Sequence, residues 1–89
     1  MTVKASHILV QTLTEAEAIH NKIVAGDSFS ELAKEHSSCP SRAQGGDLGF
    51  FQRGQMVKPF EDAAFNLDVG QLSLPVQTQF GFHLIQRTA

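Results

Sequence analysis

The chain has a single cysteine, Cys39, so it cannot close an intramolecular disulfide and nothing in it calls for an oxidising compartment. It also has no run of Lys or Arg. With a formal net charge of −2 and a pI of about 6.0, it offers no basic stripe to neutralise phosphates, which excludes nucleic acid as the expected partner. No segment approaches the roughly 20 apolar residues of a membrane span, and the N-terminus has no charged stretch leading into an apolar run of signal-peptide length. Internal repeats, linkers and low-complexity segments are missing, and the glycines match neither G-x-x-x-x-G-K-[ST] nor G-x-G-x-x-G. These absences predict a cytoplasmic monomer that works without nucleic acid or membrane, and Met1 points to a free-standing chain.

What is present is ordinary globular composition, 42% hydrophobic and 18% charged over 89 residues. That length supports one core with little margin for a second, so residues 1–89 are read as one domain.

Val3 to Val10 carries apolar residues on both parities, with Val3, Ala5, His7 and Leu9 on one and Ile8 and Val10 on the other. Such a strand is covered on both faces and therefore central in its sheet, and His7 points at something packed. Thr14-Glu15-Ala16-Glu17 has the capping-box pattern, followed by Ala16, Ile19 and Ile23 at helical spacing and a stop at Gly26. Ser28 to Glu31 repeats the signal, with Phe29, Leu32, Ala33 and His36 as the stripe of a second helix. Ser37 to Gly46 reads as loop and Leu48 to Phe51 as a short strand. Lys58-Pro59 opens a third helix whose buried stripe is Phe60, Ala63, Ala64 and Leu67, with Gly70 beyond its end. Leu74 to Thr78 and Phe82 to Arg87 read as a hairpin across Gln79-Phe80-Gly81. The order strand, helix, helix, loop, strand, helix, strand, strand gives an α+β fold: a small antiparallel sheet of about four strands with helices on both faces.

The stretch Gly45 to Phe65 stands apart. It holds four of the seven glycines and four of the seven phenylalanines. Glycines at 45, 46, 49 and 54 permit positive φ or close backbone approach, beside the large apolar side chains of Leu48, Met56 and Phe60. The combination predicts a pocket wall.

Ser6-His7-Ile8-Leu9-Val10, Gly45-Gly46-Asp47-Leu48-Gly49, Gly54-Gln55-Met56-Val57-Lys58-Pro59-Phe60 and Pro75-Val76-Gln77-Thr78-Gln79-Phe80-Gly81-Phe82-His83 occur in that order. Together they resemble the parvulin family of peptidyl-prolyl cis/trans isomerases over nearly the whole chain. The resemblance implies a parvulin-like (FKBP-like) architecture and rotation of X-Pro peptide bonds in proline-containing peptides and proteins, in the service of folding. It implies that His7 and His83 are paired histidines on neighbouring strands under the active site, that Thr78 joins their hydrogen-bond network, and that Cys39 sits where the family carries Cys or Asp. It places Leu48, Met56 and Phe60 in the proline pocket, Gln55 among the substrate contacts and Phe80 at the rim.

Each of these residues also has a plainer reading. Leu48, Met56 and Phe60 could be core alone. The histidines could act as general acid and base, or as a scaffold whose ring nitrogens satisfy one another; isomerisation has no obligatory proton transfer, which favours the scaffold. Cys39 reads as a nucleophile or as a small, weakly polar pocket residue, and the lack of any need for a covalent intermediate favours the second. His36, Cys39, His7 and His83 lack the paired close spacing of zinc ligands, so neither metal nor cofactor is expected. The loop Gln11-Thr12-Leu13 has no Arg or Lys to receive a phosphate, which predicts a preference for uncharged or hydrophobic residues before proline. Two other functions remain open: a non-catalytic module or holdase that binds proline segments, and a Cys/His hydrolase for which no oxyanion site or orienting carboxylate is assignable.

Overall fold

The computed structural model describes all 89 residues. Strand β1 (Thr2–Val10) is followed by helices α1 (Leu13–Val24) and α2 (Phe29–His36), a 3₁₀ turn over Pro40–Gln44, strand β2 (Asp47–Gln52), helix α3 (Lys58–Asn66) and strands β3 (Val76–Thr78) and β4 (Gly81–Arg87). The strands form one antiparallel sheet in the order β2-β1-β4-β3. No helix is long and apolar enough to cross a membrane.

β1 is central, and its two parities serve two cores. Val3 and Ala5 pack with Ile85, Phe51 and the α3 residues Phe60, Ala64 and Leu67. Ile8 and Val10 pack on the opposite face with Leu84, Ala16 and Ile19 of α1, and Leu32 and Ala33 of α2. Each helix covers the sheet face that its apolar stripe matches.

The start of α1 differs from expectation. The cap is Thr12, not Thr14: its Oγ1 accepts the Glu15 N–H at 3.2 Å and donates to Glu15 Oε1 at 3.1 Å. Two S/T-x-x-E patterns overlap here. The earlier one adds a helical bond, Ala16 N–H to Thr12 C=O, and leaves only Gln11 and Thr12 between β1 and the helix. Ser28 caps α2 as expected, and Pro59 lies in the first turn of α3, where no N–H is needed. The segment from Ser37 to Gly46 is not wholly loop, because Pro40 starts the 3₁₀ turn. Strand β3 is shorter than the Leu74 to Thr78 reading: Pro75 has no N–H for the ladder and Leu74 is exposed.

Two glycines in the Gly45 to Phe65 stretch have specific work. Gly46 lies against β1, its C=O accepting the His7 N–H at 2.9 Å, and a Cβ there would collide with the His7 carbonyl. Gly49, at φ +71°, sits where the β1–β2 register slips between Lys4↔Phe50 and Ser6↔Asp47. In an unbroken strand Leu48 and Phe51, three residues apart, would face opposite sides. The bulge turns both onto the α3 face, where Leu48 packs against the cluster containing Phe51.

Candidate active site

Antiparallel pairing sets the floor of the site. His7 lies opposite Ile85 and Leu9 opposite His83, so the two histidines are diagonal neighbours on the α3 face of adjacent strands. Their rings stack at 5.1 Å with a 17° interplanar angle, and Nδ1 of one lies 2.9 Å from Nδ1 of the other. His83 Nε2 is 2.7 Å from Thr78 Oγ1, and the same oxygen accepts the Phe80 N–H at 3.1 Å. Phe60 stands nearly perpendicular to both rings, at 5.4 Å from His7 and 5.2 Å from His83.

Burial pushes the pKa of each histidine down from 6.5 to about 4; for His7 the charge that His83 would carry adds to the effect of burial. Both rings are therefore neutral at pH 7. A contact between two Nδ1 atoms needs one N–H and one lone pair, which neutral rings supply and two imidazolium rings do not.

Above this floor lies a cleft of about 490 Å³. One wall is Leu48 from the bulge, Met56 and Val57 from the β2–α3 loop, and Phe60 from α3. Leu9 of β1 and Ser38, Cys39 and Pro40 from the segment after α2 also line it, together with Phe80, more than half exposed in the Gln79-Phe80 turn. Gln55 lines the rim, but its Oε1 already accepts the Gln52 N–H at 2.7 Å, which leaves its Nε2 to reach outward.

The structure thus brings eight of the nine residues singled out in the sequence to one cleft: His7, Cys39, Leu48, Gln55, Met56, Phe60, Phe80 and His83. Thr78 is the exception. It does not line the cleft but holds His83 from behind, one layer away. Cys39 is half-buried, and its thiol has no imidazole partner: three ring nitrogens are taken by the histidine pair and Thr78, while His7 Nε2 is buried and unpartnered. The hydrogen-bonded thiol–imidazole pair that activates a nucleophilic cysteine is therefore not formed. No group of three His, Cys, Asp or Glu side chains converges anywhere in the chain.

Sequence reasoning missed the lining residues Leu9, Ser38, Pro40 and Val57; Leu9 and Val57 lie inside the quoted motifs without being singled out there, and Ser38 and Pro40 read as loop. It also missed Ser37. That hydroxyl is fully buried and accepts the N–H of Leu9 at 3.1 Å and of Cys39 at 3.3 Å, tying the segment after α2 to β1.

Comparison with known proteins places this architecture. The family model for the rotamase, PPIC-type PPIase domain, matches residues 5–89. Foldase protein PrsA of Geobacillus sp. (strain WCH70) is 52% identical over 87 residues, covering 97% of this chain and 32% of the relative. The chain therefore spans about a third of the length of that curated relative. The crystal structure of PrsA from Bacillus anthracis superimposes with a TM-score of 0.98 at 48% identity, over 99% of this chain and 41% of that one. The solution structure of the parvulin of Nitrosopumilus maritimus matches end to end, with a TM-score of 0.90, 49% identity, and 99% and 96% of the two chains covered. Sequence and structure agree from β1 through β4, and the chain belongs to the PPIC-type, or parvulin, family of peptidyl-prolyl cis/trans isomerases.

Proposed function

We propose that the cleft seats the proline ring of an X-Pro segment between Leu48, Met56 and Phe60 and turns over substrates whose residue before proline is uncharged or hydrophobic. The observation that carries this reading is the lining itself: no Lys, Arg, Asp or Glu faces the cleft, and the two histidines at its base are neutral at pH 7. A phosphate before proline finds no cation there, whereas an apolar side chain gains contact with Leu9, Pro40 and Phe80.

The barrier to be lowered is the roughly 18–20 kcal/mol of amide resonance. With the proline ring held, the preceding carbonyl is the part that swings. Transfer of the amide from water into an apolar cleft disfavours its charge-separated form and so lowers the barrier. No covalent step is required. The histidine pair and Thr78 act as a rigid neutral floor, and Cys39 shapes the wall near the moving carbonyl. Relatives named foldase support a role in assisting protein folding. In this reading the domain acts as a monomer and works in the cytoplasm with its single thiol reduced.

Exchange NMR on an Ala-Leu-Pro peptide and its phosphoserine-proline counterpart tests the reading. Faster cis/trans exchange is expected for the first, and much less for the second. Shift perturbation without faster exchange would make the chain a proline-segment binder, and equal rates on both peptides would refute the preference. Met56→Ala combined with Phe60→Ala should abolish most of the acceleration.

A further inference from the structure

The loop from Arg53 to Val57 carries Gln55, Met56 and Val57 into the cleft yet belongs to no strand or helix. Beyond the local bonds between Gln52 and Gln55, what ties it to α3 is a buried carboxylate. Glu61 is only 5% exposed. Its Oε1 accepts the Gly54 N–H at 2.5 Å, and its Oε2 accepts from Arg53 Nη1 at 3.1 Å and lies 3.6 Å from Lys58 Nζ. We propose that Glu61 is a positioning residue for the isomerase: through the Gly54 amide it fixes the backbone immediately before Gln55 and Met56 and so sets the substrate wall of the cleft. The proposal rests on the reading that Met56 contacts the proline ring.

The three contacts of Glu61 are not equivalent. Arg53 and Lys58 have a second partner in the half-exposed Asp62, at 3.5 and 3.1 Å, and the Arg53 guanidinium also lies 4.5 Å over the Phe65 ring. Removing Glu61 leaves both cations engaged. The Gly54 N–H has Glu61 as its acceptor and, without it, is released beside the two residues that face the substrate. The same bond is the largest influence holding the Glu61 carboxyl below the usual carboxylate range; burial opposes it, and Arg53 and Lys58 reinforce it. The carboxylate is thus ionised and aimed at the loop, not at solvent.

Reach and charge are separable by substitution. Glu61→Gln keeps the reach and an acceptor oxygen; Glu61→Asp keeps the charge near Arg53 and Lys58 but is one methylene short of Gly54. With the Ala-Leu-Pro peptide, kcat/KM should fall about tenfold in E61D and E61A, the factor expected from losing one hydrogen bond to a charged acceptor. The loss should fall mainly on KM, with faster amide hydrogen exchange at Gly54, Gln55 and Met56. E61Q should recover most of the activity and the protection, and Asp62→Asn should behave as wild type. Rates are compared well below each variant's melting midpoint, so that a loss of stability alone changes nothing. Wild-type kcat/KM in E61D together with an unprotected Gly54 amide would overturn the positioning role, as would E61Q no better than E61D. The pocket reading fails differently, through full activity in Met56→Ala.

Discussion

The neutral histidine pair makes stability a function of pH in a window that no other shifted group occupies. Folding lowers the pKa of His7 and His83 from 6.5 to about 4, so below pH 6.5 the unfolded chain binds protons that the native state refuses. The stabilisation is present in full above the unfolded value, drains as pH falls from 6.5 to 4, and has nothing left to lose below that. For one ring, acidification from pH 7 to pH 5 costs about 2 kcal/mol by this linkage. The two rings together cost between about 2 and 4 kcal/mol, because part of the His7 displacement is repulsion from a charged His83 and the pair titrates as a unit. Against a total stability of roughly 4 to 13 kcal/mol for a chain of this length, the loss is large, and at the low end of that range it removes half or more of the stability at pH 5. Glu61 is also shifted, downward from 4.5, so its stabilising contribution is lost only as the pH falls below that value. The window from pH 7 to pH 5 therefore belongs to the histidines. The chain has neither Trp nor Tyr, so the transition is best followed by far-UV circular dichroism in urea at pH 7, 6 and 5, with the histidine Hε1 resonances titrated by NMR alongside. His83→Gln should lose about half as much as wild type over the same interval, since one of the two titrations is gone. Unchanged stability between pH 7 and pH 5, or Hε1 midpoints at 6 or above for both rings, would refute the neutral pair.

Three further outcomes are expected. Thr12→Ala should cost about 1 kcal/mol in urea unfolding, while Thr14→Ala, one turn position inside the helix, should cost well under half of that; the reverse order would restore the Thr14 cap. Gly46→Ala meets both a positive φ of 89° and the His7 carbonyl, so it should destabilise by about 2 kcal/mol or more in the same assay and displace the His7 ring resonances. Cys39→Ser should retain most of the isomerase rate measured by exchange NMR, because isomerisation needs no covalent step and no hydrogen bond joins the thiol to an imidazole; loss of nearly all activity would argue for covalent participation.

Much of this protein is legible in its order of residues. The alternation along β1, with Val3, Ala5 and His7 on one parity and Ile8 and Val10 on the other, assigns two cores to two faces, because side-chain direction in a strand has a period of two and needs no tertiary information. The helices announce themselves through Ser28 and through the spacing of Ile19, Leu32 and Phe60, though two overlapping capping patterns left the start of α1 to be decided by backbone bonding. Periodicity also marks Phe60 as buried but does not say that both histidine rings meet it edge-on.

The site itself is a product of the fold. That His7 and His83 touch depends on the β1–β4 register, a pairing of residues 76 positions apart that local propensity does not encode. That Leu48 joins Phe51 on the cleft face depends on a bulge at Gly49, where sequence marks flexibility but not the direction of the turn. Glu61 gave no sign at all: between Phe60 and Asp62 it reads as one more charge in the first turn of a helix. Only the return of the β2–α3 loop over that turn buries it and supplies the amide it binds. Sequence settles which residues are apolar, capped or able to bend; long-range pairing settles which of them face one another, and the cleft of this isomerase is made of the second kind of fact.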